Sequence, residues 1–431
     1  MLDLSAATPM QATLTLSFRP FFYLRAIVLL AMLTVTSTVH ADDGGSVAQV
    51  RVMFDRDGVV ATQAQGMADV ATGRRITADD PARIASISKL VVAIGVMRLV
   101  EQGKLDLDAD VSPLLGWRLR HPGFPDTPIT LRLLLSHRSS LTDAAGYYAT
   151  PLGGQTKDIL DDPSAWDAAH APGTYFRYTN LNFPLVAMIM ERATSERFDL
   201  LMQRLVLAPL HLDACYNWES CTPAAAARAV VLYREGQPVR DDNQGRKPAC
   251  AVVVAAHVDC DLSRWKAGDN GALFSPQGGL RISANGLARI GRLLLNNGEV
   301  DGVRLLTPAS VDVLLKPSWT YDGRNGMTHE EDEATPGAPG KAFFCRYGLA
   351  VQTLATRSED CGDDPFTDGA ARVGHAGNAY GLLSGLWVNR QSGTGVAYFA
   401  TGVDKPTPGT HSAFSRVEEK LAEGSSAPLL P

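Results

Sequence analysis

The segment Ile87 to Val100 is apolar almost all the way round a helix, with Ser88, Lys89 and Arg98 as its only strongly polar positions. A stripe that wide predicts a buried central helix rather than a surface one. Gly103 closes it, with Lys104 behind. Before it, Val47 to Ala61 and Gln63 to Asp69 read as strand, with a hairpin turn at Arg56-Asp57-Gly58. Ala71 to Arg83, with Pro81, is a loop. Helical periodicity returns at Leu131 to Leu135, at Leu181 to Arg192, at Phe198 to Leu207 before Pro209, and at Ala284 to Leu295 before Asn296-Asn297-Gly298. Between these, 213–270 is irregular, and only Ala224 to Val231 looks regular. Gly326 to Gly340, with Glu330-Glu331-Asp332-Glu333, reads as a mobile acidic loop. Strands resume at Tyr347 to Thr353, Leu383 to Asn389 and Gly395 to Thr401, and Ser412 to Ala422 predicts a last helix.

Strands at both ends and helices in the middle predict a two-lobed α+β fold. The N-terminal hairpin would lie beside the C-terminal strands in one antiparallel sheet flanked by helices, with a mostly helical lobe packed on it. The sheet lobe would run from about 47–83 and 271–423 and the helical lobe over about 84–270, within one domain spanning 42–423. Residues 424–431 read as a disordered tail. A cleft between lobes is where small molecules usually bind, and 213–270 is expected to overhang it.

Arg19 and Arg25 precede the apolar run Ala26 to Val35, and Val39-His40-Ala41 offers small residues for cleavage, so 1–41 reads as a secretory signal peptide. A periplasmic or secreted location follows, with membrane contact only transient. Asp3, Arg19 and Arg25 lie in that segment, so the net charge of -6 becomes -7 without it. The lack of a basic stripe argues against nucleic acid or anionic membrane as a partner. The six cysteines all follow the export segment, which reads as disulfides. Sequence cannot choose among the fifteen possible pairings; nearest neighbours, Cys215 with Cys221, Cys250 with Cys260 and Cys345 with Cys361, are expected because each pair closes a short loop. The nine histidines are scattered and no close Cys/His ligand pairs occur, so no metal and no cofactor is expected.

The candidate chemistry sits where the apolar helix begins. Ser86-Ile87-Ser88-Lys89 places an amine one helical turn from a hydroxyl, on the same face. Burial disfavours a charged lysine, and the neutral amine can act as a base. Against this stands a helix-capping serine with a snorkelling lysine. Ser263-Arg264-Trp265-Lys266 repeats the spacing in a polar stretch where nothing would desolvate the lysine, and is set aside. Tyr178-Thr179-Asn180 precedes a helix and His375-Ala376-Gly377-Asn378 precedes strands; a core tyrosine and a strand-edge histidine are the plainer readings. Ser283-Ala284-Asn285 reads as a helix start and His121-Pro122-Gly123 as a turn.

Together, Ser86-x-x-Lys89, Tyr178-x-Asn180 and His375-x-Gly377 in this order resemble the serine β-lactamase and penicillin-recognising superfamily, in its branch of class C β-lactamases, esterases and D-amino-acid peptidases. The flanking segments Ala82-Arg83-Ile84-Ala85, Leu134-Leu135-Ser136-His137, Ser275 to Leu280 and Tyr347-Gly348-Leu349 agree, so the resemblance runs from about Val47 to Gly402. It implies Ser86 as nucleophile, Lys89 and Tyr178 as a coupled proton-handling pair, and Asn180 as a polar partner of Lys89 and substrate. His375, Gly377 and Asn378 would line the opposite wall on an edge strand, with the N–H groups of Ser86 and Asn378 holding the oxyanion. The expected substrate is a small ester, amide or peptide. Where β-lactamases of this branch carry Lys-Thr-Gly, this chain has His375-Ala376-Gly377, and a largely neutral histidine shifts the expectation toward an esterase or amidase and away from an efficient β-lactamase. The alternative is a penicillin-binding sensor or pseudoenzyme that is acylated without efficient turnover.

Overall fold

The structure, a computed structural model, describes residues 46–239, 247–330 and 340–424. The segment 1–41 read above as a signal peptide, Glu331 to Glu333 of the acidic run, and residues 425–431 lie outside them.

The frame of the fold is a nine-stranded antiparallel sheet. Its long strands are β1 (Ala48–Asp55), β2 (Val59–Asp69), β3 (Val373–Ala379), β4 (Leu382–Asn389) and β5 (Thr394–Thr401). From one edge the order is Trp319–Thr320, Arg346–Tyr347, Gln352–Thr353, β3, β4, β5, β1, β2 and Arg74–Arg75. The hairpin at the start of the chain therefore does pair with the last strand, with Ala48 opposite Thr401 and Asp55 opposite Thr394. At its turn, Asp55 Oδ1 accepts from the N–H groups of Asp57 and Gly58, which fixes the reversal without strand residues.

Both faces of the sheet are covered at β4, which is buried at every residue, whereas the first half of β2 is exposed. Alternate side chains go to opposite sides. Leu386 and Val388 join the large core with the helix Ala284–Leu295, whereas Leu383 and Trp387 pack with Phe414, Val417 and Leu421 of the C-terminal helix region. Gly291 of the first helix lets the sheet approach, since a Cβ there would lie 2.2 Å from the Phe54 ring. The Ile87–Glu101 helix, α1, is buried along nearly its whole length, as its apolar sequence predicts, and touches β3 as well as the helical lobe.

Four local expectations are corrected. Tyr347 to Thr353 is no single strand: Ala350 takes φ 55° and the chain doubles back, so that Tyr347 pairs with Gln352. The strand carrying His375 is internal, because that hairpin adds beyond it; yet the hairpin pairs only with Val373 and Gly374, leaving His375 to Ala379 without a strand neighbour on that side. The last helix starts at Arg416, not Ser412, where Ser415 and Glu418 cap it reciprocally. The segment from Phe198 is α-helical only to Met202 and continues as a wider π turn over Gln203–Leu207.

The cysteines pair as the short spacings suggested: Cys215 with Cys221, Cys250 with Cys260 and Cys345 with Cys361. The irregular 247–270 region has one further anchor. Glu191, in the helix Asn182–Thr194, accepts from Trp265 Nε1 at 3.1 Å, Gly268 N at 3.0 Å and Phe198 N at 3.1 Å. Burial outweighs those donors and pushes its carboxyl up to about 7. A carboxyl raised above its ordinary 4.5 holds its proton more tightly in the folded chain, so its contribution is greatest below pH 4.5 and is lost as pH rises through about 7. That loss amounts to about 3 kcal/mol. Thermal unfolding followed from pH 4.5 to 7.5 is expected to show Glu191→Gln flattening this decline, with stability lowered at the acid end, where one of the three donors loses its acceptor. An unchanged pH slope would show that Glu191 is ionised throughout.

Candidate active site

Ser86 is the residue before α1, and its side chain does not cap the helix. The preceding residue, Ala85, is held at φ 52°, a left-handed conformation that costs a residue with a Cβ about 1 kcal/mol or more and persists only where the surroundings enforce it. Ser88 enforces it here. Its hydroxyl donates to Ala85 O at 2.6 Å and accepts from Leu280 N at 3.0 Å, tying the turn to the strand Leu280–Ile282.

One turn on, Lys89 is fully buried. Its Nζ donates to Ser86 Oγ at 2.9 Å, Asn180 Oδ1 at 2.8 Å and the Gln277 carbonyl at 2.9 Å, and sits 4.8 Å from the centre of the Tyr178 ring. Asn180 is in turn oriented by Asp143. One carboxylate oxygen accepts from Asn180 N at 2.8 Å and Nδ2 at 3.0 Å, and the other from Leu181 N at 2.8 Å. Burial raises the Asp143 carboxyl, with those donors and the Lys89 cation working against it.

Tyr178 is buried, and its hydroxyl makes no hydrogen bond of normal geometry among the described residues. Desolvation holds it well above the ordinary phenol range, only partly offset by the nearby Ser86 hydroxyl, so it rests as a neutral phenol. Its ring is clamped between His137, stacked at 4.3 Å, and Phe344, stacked at 4.8 Å. His137 is itself fixed by accepting from Thr179 N at 3.0 Å, and burial together with the Lys89 cation keeps it neutral.

β3 forms the opposite wall. Gly377 packs so closely that a Cβ would lie 2.5 Å from Ile84 O and 3.1 Å from Ser86 N, and Ser384 of β4 donates to the same Ile84 carbonyl at 2.9 Å. His375 is turned away from open solvent. Its Nε2 is 2.7 Å from the Tyr347 hydroxyl and its Nδ1 bonds the Ala376 carbonyl. Burial and the Lys89 cation push it down to about 3, so it is neutral. Asn378 is exposed beside it. Ser86, His375, Gly377 and Asn378 border one cavity of about 40 Å³, which Glu330, Phe344, Gln352 and Glu418 also line. No described residue of 213–270 lines it; Phe343, Phe344 and the segment leading into the last helix do.

All seven residues singled out from the sequence thus lie around one point, and the look-alikes lie elsewhere. Ser263 and Lys266 are exposed. Ser283 caps a helix by accepting from Gly286 N, and His121 accepts from Gly123 N within its turn. Asp143, Gln352 and Glu418 were missed. Asp143 carries no local signal; Glu418 is visible only as the last residue of the Ser415-x-x-Glu418 capping box.

Residues 39–418 match the family model described as Beta-lactamase. An esterase, EstB of Burkholderia gladioli, is 30% identical over 210 residues, covering 44% of this chain and 51% of that protein. The chain thus spans about half the length of this relative. Among solved structures, a penicillin-binding protein homologue from Pyrococcus abyssi superposes with a TM-score of 0.60 at 18% identity, covering 87% of this chain and 72% of that one. A D-amino acid amidase from Ochrobactrum anthropi SV3 does so with a TM-score of 0.57 at 18% identity, covering 88% and 93%. These structural likenesses are likenesses of fold.

Proposed function

Because the chain belongs to the beta-lactamase family, we propose that it is an exported serine hydrolase that cleaves an ester or amide through an acyl-enzyme on Ser86. The observation that carries this is the buried Lys89 amine, 2.9 Å from Ser86 Oγ and fixed by two further acceptors. A lysine held that way is not snorkelling.

Ser86 Oγ bonds to the substrate carbonyl carbon and gives up its proton. With Tyr178 kept as a phenol by burial, the proton goes to Lys89, which must first give up one of the three protons it donates at rest and so act as the neutral amine. The phenol then suits the second task, protonating the leaving oxygen or nitrogen as its bond to carbon breaks, and is refilled from Lys89. The oxyanion would be held by the N–H groups of Ser86 and Asn378, with the N-terminus of α1 adding favourable charge. Water then cleaves the acyl-enzyme by the reverse proton path.

The relatives' names include an esterase and a D-amino acid amidase. For this chain, the neutral His375 and a cavity without a lysine or arginine among its described lining residues support an ester or amide without a carboxylate at that place, rather than a β-lactam. Export is supported by the three disulfides and by the apolar N-terminal run; among the described residues no helix is long and apolar enough to cross a membrane.

Incubation with p-nitrophenyl acetate, followed by rapid acid quench and peptide mass mapping, is expected to place one acetyl group on Ser86. Continued release of nitrophenol beyond one equivalent marks an enzyme. A single equivalent with no steady state marks the acylated sensor instead, and an adduct on another residue removes Ser86 from the mechanism.

A further inference from the structure

The cavity beside Ser86 is mostly apolar, walled by Phe343, Phe344, Ala376, Leu383 and Ala413. Two polar groups on this wall are used by none of the steps above. Gln352 is 2% exposed, and its Oε1 accepts from Ala376 N at 2.9 Å. That backbone donor fixes the amide's orientation, and the Nε2 left over has no partner among the described residues. Glu418 is 4% exposed. Ser415 N and Ser415 Oγ both donate to its Oε2, at 2.9 Å and 2.6 Å, which leaves Oε1 for the cavity. A buried donor without a partner is costly, so a ligand that supplies the partner recovers that cost on binding.

We propose that this cavity is a subsite for one arm of the substrate, selective for a neutral group that both accepts and donates, a primary carboxamide, whose carbonyl takes Gln352 Nε2–H and whose N–H goes to Glu418 Oε1. The occupant's being a substrate rests on the hydrolase reading; the binding chemistry does not. A carboxylate would satisfy Gln352 but meet the carboxyl of Glu418, with Glu330 on the same lining. An ammonium would suit Glu418 but set a second donor against Gln352. Only a group with one face of each kind answers both. At about 40 Å³ the cavity holds roughly three waters, so the arm is short.

The two side chains also define the test, because each is pinned by a backbone partner that decides which atom faces the cavity. In Glu418→Gln the amide oxygen stays with Ser415 and a donor replaces the acceptor. In Gln352→Glu one oxygen stays with Ala376 N–H and an acceptor replaces the donor. Butanamide, butanoate and butylamine are titrated by NMR into Ser86→Ala protein at about pH 8, where a carboxyl lifted to about 7 by burial is mostly ionised. The same compounds are run as inhibitors of p-nitrophenyl acetate turnover in the parent. Butanamide is expected to bind the parent site about tenfold more tightly than the other two, a difference of about 1.4 kcal/mol. Glu418→Gln is expected to make butanoate the tightest ligand, and Gln352→Glu to make butylamine so. A ranking that both folded variants leave unchanged, a parent that prefers either ion, or no binding of any of the three overturns the proposal. Binding to Ser86→Ala protein without any turnover in the parent upholds the subsite and refutes the hydrolase instead.

Discussion

Ser86→Ala is expected to lower kcat/KM for p-nitrophenyl esters by about ten-thousandfold or more, leaving the fold intact. The rate effect follows from the loss of the group that would carry the proposed acyl intermediate; removing a nucleophile commonly leaves only residual catalysis from binding and oxyanion contacts. The small structural effect follows from what the hydroxyl does in the folded chain. It makes no cap to α1, and receives one of the three Lys89 hydrogen bonds. Losing one of three costs about 1 kcal/mol. Steady-state kinetics with thermal unfolding on the same preparation separates the two effects. A capping serine would give the reverse pattern, a lower melting temperature and an unaltered rate.

Tyr178→Phe is expected to cut turnover by about a hundred- to ten-thousandfold while leaving stability unchanged or raising it by about 1 kcal/mol. Buried hydroxyls are normally satisfied, and removing a satisfied one is destabilising. This hydroxyl is buried without a hydrogen bond of normal geometry among the described residues, so the folded chain carries a cost at this position. The ring contacts with His137 and Phe344 survive the substitution. Activity falling while melting temperature holds or rises is the signature of a group kept for chemistry. A parallel fall in both would make Tyr178 a core residue, and an unaltered rate would take it out of the proton path.

Each element of the site was legible to a different degree. Ser86, Lys89, Tyr178, Asn180 and the β3 motif could be read because each is a short local pattern set against a strong hydrophobic signal. The pairing of Cys345 with Cys361, at a sequence separation of 16, matches the nearest-neighbour expectation, which rested on the short loop it closes and not on any rule that excludes the other pairings. The hairpin at Tyr347 to Thr353 was not, since its reversal rests on Ala350 adopting a left-handed φ that no sequence rule assigns to alanine. The start of the last helix was misplaced by four residues although its capping box was written in the chain, because Ser412 offered a competing start.

The amino-acid order alone determined that α1 is buried, that strands from the two ends share a sheet, and that a hydroxyl and an amine lie one turn apart, because backbone periodicity and helix geometry act over a few residues. Tertiary structure alone decided what those groups face. Asp143 orients Asn180 from 37 residues away, the Gln277 carbonyl meets Lys89 across 188, and Gln352 and Glu418 meet only on the wall of one cavity. Such partners leave no periodic trace, because their hydrogen bonds and desolvation exist only once the core has closed around them.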